Sequence, residues 1–166
     1  FQTHGPFTVV FTGGEPLITP GIFELFSRLQ SWGHRIALQS NLKSHAERFA
    51  VAVPPEACPW LLTTFHSVEL GRWRRYRDTV VGLKRAGYPV VVKMVLDEAM
   101  LPVFASMHDE LVAAGVGVML SPLIHFPADG ESTPHAYSVD DWRRIAPRIS
   151  LRSTWLYFAG GFASMG

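Results

Sequence analysis

Strand-like and helical segments alternate along this chain at a nearly constant spacing, and this alternation constrains the fold more than any single motif. Apolar runs begin near residues 7, 35, 60, 90 and 116, so 25 to 30 residues separate one start from the next. Between them, apolar residues recur with the 3.6-residue period of a helix. In the first helical segment this face comprises Ile22, Leu25, Phe26 and Leu29. Such strand–helix units predict right-handed crossovers and a parallel sheet.

Glycines mark the ends of three helical segments. Gly33, Gly87 and Gly115 each precede the next strand by a few residues, where a left-handed C-cap residue is expected. Five strands in 166 residues are too few for a closed eight-stranded barrel. The pattern therefore predicts the α/β class and leaves open whether the sheet curves as a partial barrel or is doubly wound.

Composition excludes several classes of function. The net charge of +1 gives no reason to expect nucleic acid or an anionic membrane as a partner. No apolar stretch reaches membrane-spanning length, and no signal peptide is visible. The single cysteine, Cys58, excludes an internal disulfide framework and favours a reducing, cytoplasmic compartment. One basic cluster, in a helical pattern that predicts a solvated face, comprises Arg72, Arg74, Arg75 and Arg77.

The segment Phe7–Pro16, Phe-Thr-Val-Val-Phe-Thr-Gly-Gly-Glu-Pro, presents one carboxylate at the end of an apolar strand. Gly13-Gly14 permits dihedrals closed to other residues and lets a ligand approach the main chain. Pro16 cannot donate to a ladder, so the strand must end there. Thr19-Pro20 then predicts the start of a helix. Because ligands bind at such strand ends in α/β folds, Glu15 is a candidate ligand-binding residue.

The sequence Gly13-Gly14-Glu15-Pro16, on such a strand and before an amphipathic helix, resembles the GGEP motif of radical S-adenosylmethionine (radical SAM) enzymes. The resemblance covers residues 7–123. It implies a parallel-stranded partial (β/α)6 TIM-like barrel, incomplete in this chain, with residues 1–125 forming part of the core. We expect one curved sheet with Gly13, Asn41, Ser67 and Leu96 near its carboxyl edge.

Polar residues after the other strands extend the comparison. Gln39-Ser40-Asn41 ends the second strand and is similar to the Thr/Ser-Asn segment of the family. His66 and Ser67 follow the third, where family members often place a serine near an acidic residue or a histidine. Lys93 interrupts the fourth apolar run, and a buried lysine is costly unless its ammonium reaches a carboxylate or solvent. Each residue also has a structural interpretation, since Ser and Asn cap helices and lysines snorkel.

The resemblance implies S-adenosylmethionine as a cofactor and gives these residues roles. Glu15 and the carbonyls of Gly13-Gly14 would accept hydrogen bonds from the methionyl ammonium. Donors for its carboxylate would be Ser40, Asn41 or Lys93. Residues suited to the ribose hydroxyls are His66, Ser67 and Glu69. In the family, the methionyl group also chelates a [4Fe–4S] cluster, and reductive cleavage yields a 5′-deoxyadenosyl radical that abstracts hydrogen from the substrate.

One departure concerns the cluster. The family holds it with Cys-x3-Cys-x2-Cys upstream of GGEP, whereas none of the twelve residues before Gly13 is cysteine. Cys58 cannot replace three thiolate ligands. Either the first βα unit is missing from this chain or the chain is a cluster-free relative, and the loop-like start at residues 1–6 favours truncation. We therefore expect this chain alone to hold no cluster and to be inactive.

Residues 126–166 are predicted to form a loop, a short helix and the start of a C-terminal extension. Ser138, followed by Asp140 and Asp141, predicts the start of that helix. Residues 155–166 are aromatic and glycine-rich, as in relatives whose extensions bind auxiliary clusters, and this makes a peptide or protein one candidate substrate. The sequence identifies neither the substrate nor the reductant.

Two functional classes remain open. The first is a fragment of a radical SAM enzyme that abstracts hydrogen from an unknown substrate. The second is a metal-free α/β ligand-binding domain or partial-barrel enzyme, in which Glu15 acts as an acid, a base or a ligand acceptor. Three upstream cysteines at the family's spacing would discriminate between them.

Overall fold

The computed structural model describes residues 5–122, 124–125, 133–134 and 137–149. It confirms the predicted α/β class, because five strands form one parallel sheet. The strands are β1 (Thr8–Phe11), β2 (Arg35–Ser40), β3 (Leu61–Phe65), β4 (Val90–Leu96) and β5 (Gly117–Pro122). The helices between them are α1 (Ile22–Ser31), α2 (Ala46–Ala52), α3 (Trp73–Arg85) and α4 (Phe104–Ala113). Each strand begins within one residue of its predicted start.

The strands lie side by side in chain order, each parallel to its neighbours. Near the strand ends the paired residues are Phe11 and Leu38, Ser40 and Thr63, Phe65 and Met94, and Leu96 and Pro122. This register gathers the ends of all five strands at one side of the sheet, which we call the carboxyl edge. The order does not reverse anywhere among these strands, so they contain no topological switch point of the doubly wound kind.

Helices cover one face of the sheet more completely than the other. Along β3 and β4, buried residues alternate strictly with half-buried ones. Phe65 faces α3, with 4.7 Å between its ring centroid and that of Tyr76, and Phe11 lies 5.0 Å from Phe26 of α1. The opposite face is half-buried, and the register places Lys93 there, beside Thr64 and Met119.

Three helices end in the same way, as the glycines predicted. At the end of α1, the Gly33 amide donates to the Gln30 carbonyl and the His34 amide to the Leu29 carbonyl. The same pair of bonds recurs around Gly87 and Gly115. These are Schellman motifs, and the three glycines have φ values of 83°, 96° and 75°. Each motif turns the chain directly into the next strand.

The start of α1 differs from the prediction. Gly21, with φ of 77°, is its N-cap, whereas Thr19 ends a separate 3₁₀ turn at Pro16–Ile18. The Glu15 side chain accepts the Leu17 amide and so caps that turn, which places a helical start four residues earlier than the Thr19-Pro20 pattern predicts. Leu25 was expected on the buried face of α1 but is 41% exposed.

Beyond the sheet, β6 (Ile124–His125) pairs antiparallel with β7 (Thr133–Pro134), and α5 spans Val139–Ile145. The predicted helix start is confirmed, because the Ser138 and Asp141 side chains each accept the other's backbone amide in a capping box. Residues 150–166, which include the glycine-rich segment 155–166 of the predicted extension, and most of the predicted loop lie outside the described residues. Within the described part of the chain, none of the helices has the length and apolar character needed to cross a membrane.

Candidate functional site

Glu15 joins the ends of β1 and β2 at the carboxyl edge. Its Oε1 atom accepts hydrogen bonds from the Ser40 hydroxyl at 2.7 Å and the Leu17 amide at 3.1 Å. Its Oε2 atom accepts the Asn41 amide at 2.7 Å. The side chain is half-buried, so these charge-assisted bonds are only partly screened by solvent. We call Glu15, Ser40 and Asn41 the Glu15 cluster.

The same cluster shapes the loop that follows β2. The Ser40 hydroxyl accepts the Leu42 amide at 3.0 Å, and the Asn41 side-chain oxygen accepts the Lys43 amide at 2.9 Å. Leu42 has φ of 52° and His45 has φ of 59°, in the left-handed region that non-glycine residues seldom adopt. These side-chain bonds hold the loop in that conformation, and such strained segments concentrate at functional sites.

Gly13 and Gly14 leave the main chain open beside the cluster. Their φ values are 81° and 45°, and a Cβ atom added at either position would meet nothing within 4 Å. Backbone conformation therefore requires glycine here, while the space around both residues stays accessible. Among the described residues, no hydrogen bond reaches the carbonyl of Gly13 or Gly14.

The cluster retains capacity for a further donor. A carboxylate offers about four lone-pair positions, two on each oxygen. Three are used by Leu17, Ser40 and Asn41, which leaves one on Oε2. Together with the carbonyls of Gly13 and Gly14, this position can accept hydrogen bonds from a cationic group such as a primary ammonium.

A second polar pair lies further along the carboxyl edge. The Ser67 hydroxyl, just after β3, donates a short hydrogen bond to Oδ2 of Asp97, just after β4. Asp97 Oδ1 accepts the Met100 amide at 2.9 Å, so this carboxylate also closes a turn. The prediction identified Ser67 but missed Asp97. Its position directly after an apolar strand was a signal that could have found it.

His66 and Lys93 are placed apart from the Glu15 cluster. His66 is exposed at the start of the 3₁₀ turn Ser67–Arg72. Lys93 lies within β4 on the half-buried face, whereas Ser40 belongs to the face that packs against the helices. The structure thus brings together Glu15, Ser40 and Asn41, with Gly13, Gly14 and Pro16 beside them, but does not add Lys93 to the same group.

A cavity of about 310 Å³ opens beside Asn41, between the loop after β2 and the start of α3. At its wall, Lys43 Nζ lies 2.6 Å from Oε1 of Glu69, whose side chain is only 6% exposed. Arg72 and Arg75 also line the cavity. We call this the basic cavity. The sequence pattern did not reveal it, because its two walls are about 30 residues apart in the chain.

The described residues do not fit an iron–sulfur cluster. They contain no group of three His, Cys, Asp or Glu side chains placed to hold a metal ion. Cys58 precedes β3, at the opposite edge of the sheet from the Glu15 cluster, and its Sγ donates to the Trp60 carbonyl. Burial raises the pKa of this thiol to about 11, so it is protonated at neutral pH.

Comparison with known proteins adds no assignment. No family model matches the chain, and a search of curated proteins found no match either.

Proposed function

We propose that the carboxyl edge around Gly13–Glu15 binds the methionyl ammonium of S-adenosylmethionine, and that the chain is part of a radical SAM enzyme. The observation that carries this proposal is the Glu15 cluster. A half-buried carboxylate is fixed by three protein donors, keeps one acceptor position on Oε2, and adjoins two glycine carbonyls. An ammonium has three donors to satisfy, and these acceptors match it in charge and number.

The arrangement of the sheet supports the finer proposal of a partial (β/α)6 barrel. Five parallel strands in unbroken chain order, with helices covering one face, are what a barrel segment requires. The half-buried face that carries Thr64 and Lys93 would then line the barrel interior. In this proposal Ser67, together with His66, serves the ribose hydroxyls.

Hydrogen abstraction in radical SAM enzymes is supplied by the reduced cluster and the bound cofactor. The described residues offer no ligand set for the cluster. The role assigned to these residues is to bind and orient the amino-acid end of the cofactor. The substrate, for which a peptide or protein remains a candidate, is not identified by this site.

The proposal is tested by titrating S-adenosylmethionine into the ¹⁵N-labelled chain and following amide shifts, which detects weak binding. We expect saturable shifts at Gly13, Gly14 and Asn41. Glu15→Gln replaces a charged acceptor with a neutral amide that presents donors to donors, and should weaken binding roughly tenfold or more. Glu24→Gln, on exposed α1 surface, should leave the affinity unchanged.

Ser40→Ala separates binding from loop support. It removes one bond within the cluster but keeps the Glu15 carboxylate, so the affinity should fall much less than in Glu15→Gln. Equal losses in the two variants would mean that Glu15 acts only by holding the loop. If the wild-type chain gives no saturable shifts at the carboxyl edge, the proposal fails and a metal-free domain binding another ligand becomes the better interpretation.

A further inference from the structure

The basic cavity carries more positive charge than its own acidic residues neutralise. Lys43, Arg48, Arg72 and Arg75 contribute four positive charges to its lining, and Glu47 and Glu69 contribute two negative ones. With His45 counted as neutral, the lining keeps a charge of +2. The whole chain carries only +1, so the excess is concentrated at this site.

Two of these cations, Lys43 and Arg48, contact acidic or aromatic side chains of the protein. Lys43 pairs with the buried carboxylate of Glu69 at 2.6 Å, which fixes one wall of the cavity. The Arg48 guanidinium lies 4.2 Å from the ring centroid of Phe23 and reaches Oε1 of Glu24 at 3.8 Å. Both cations therefore have contacts with other side chains of the protein.

Arg72 and Arg75 are different. They lie one turn apart at the start of α3, where the helix dipole adds positive potential. Within the described part of the chain, neither guanidinium has an acidic partner. By contrast, Arg77 in the next turn is engaged by Asp78 and Glu110. The sequence pattern grouped these arginines as one solvated face, but the structure separates the two that line the cavity.

We propose that the basic cavity binds the phosphate group of a small phosphate monoester. Such a group carries about −1.5 to −2 charges at pH 7, which balances the excess of the lining. Guanidinium forks donate in pairs to phosphate oxygens, and Arg72 with Arg75 supplies two of them. The cavity volume of about 310 Å³ suits a small ligand. This inference does not depend on S-adenosylmethionine binding at the Glu15 cluster.

The test is an NMR titration of the ¹⁵N-labelled chain with inorganic phosphate at constant ionic strength. We expect saturable shifts centred on Lys43, Arg72 and Arg75, and none when sodium chloride replaces phosphate. Ribose 5-phosphate should bind at least as tightly as inorganic phosphate, and ribose should not bind. Succinate, which has the same charge without tetrahedral oxygens, should bind more weakly, and equal binding would overturn the assignment to phosphate.

A matched pair of charge-neutralising variants separates the effect of net charge from the effect of the site itself. Arg75→Gln should weaken phosphate binding by about five- to tenfold, because it removes one charge-assisted fork. Arg74→Gln removes the same charge from the same helix, but Arg74 does not line the cavity and its loss should have little effect. Equal losses in both variants, or shifts spread evenly over the basic surface, would show screening by bulk anions and overturn the proposal.

Discussion

At the scale of single residues, Glu15 shows how one carboxylate can connect three pieces of chain. It receives donors from the turn after β1, from the end of β2 and from the loop beyond it. Removing the carboxylate would leave these three donors without their protein acceptor, so its loss would affect the loop as well as any bound ligand. This is why the binding test needs Ser40→Ala beside Glu15→Gln.

Cys58 gives a residue-scale prediction. It is 1% exposed, and burial raises the pKa of its thiol to about 11. Alkylation requires the thiolate, and with the raised pKa the buried thiol stays protonated at pH 8. We expect iodoacetamide to label the native chain slowly and the urea-unfolded chain rapidly, as followed by mass spectrometry. Equal labelling rates in the two states would contradict the buried position.

Contacts between residues that are far apart in the chain could not be predicted from the sequence. Gly13, Glu15, Ser40 and Asn41 were predictable as polar or flexible positions at strand ends. The three bonds to Glu15 were not, because they depend on the register between β1 and β2 and on the turn at Pro16–Ile18. Asp97 was missed because an acidic residue opening a turn has an ordinary local explanation.

At the scale of elements, the hydrophobic periodicity and the positions of the glycines predicted the strands and the helix ends correctly. Strand starts were found to within one residue because apolar runs and Schellman glycines are local signals. The start of α1 was misplaced because a separate capped turn precedes it. Glu15 caps the preceding 3₁₀ turn, and Gly21 rather than Thr19 then becomes the N-cap.

The packing of α3 against the sheet includes one buried polar contact. Thr63, fully buried in β3, and Tyr76 of α3 share a hydrogen bond of 3.0 Å between their hydroxyl oxygens. Tyr76→Phe leaves the Thr63 hydroxyl buried without its partner, and we expect a loss of about 1–3 kcal/mol in the free energy of unfolding. Urea denaturation followed by circular dichroism measures this change.

The double variant Tyr76→Phe/Thr63→Val provides the control for that pair. Replacing both hydroxyl-bearing residues removes the stranded group, so the second substitution should recover part of the stability lost in the first. If the losses of the two single variants simply add, the two hydroxyls do not interact in the folded protein.

At the scale of the whole molecule, α5 is attached to the carboxyl half of the sheet by a few directed contacts. Ile145 is fully buried, Arg144 donates to the Leu101 carbonyl at 3.2 Å, and the Tyr137 hydroxyl donates to the Leu96 carbonyl at 2.5 Å. The turn after α5 adds Arg148, which binds both carboxylate oxygens of Asp109 in α4, at 3.1 and 2.8 Å. Of these contacts, the pair between Arg148 and Asp109 is the one that depends on an ionised carboxylate, so low pH weakens it.

Asp109 therefore predicts a pH-dependent attachment of α5. Arg148, and secondarily His108, hold the pKa of Asp109 well below its ordinary value. A depressed carboxyl pKa stabilises the fold above the unfolded-state value of about 3.9, and that contribution is lost as the pH falls further.

Asp109→Asn should lower Tm slightly at pH 7, since the pair is exposed. The difference from wild type should shrink between about pH 4 and pH 2, because the unfolded wild-type chain takes up a proton on Asp109 in this range while the native carboxylate stays ionised. Asp140→Asn, which breaks only the exposed pair with Arg143 inside α5, is the matched control in thermal unfolding at each pH. A constant difference for Asp109→Asn across this range, or an equal effect of Asp140→Asn, would show that the Arg148–Asp109 link does not hold α5 to α4.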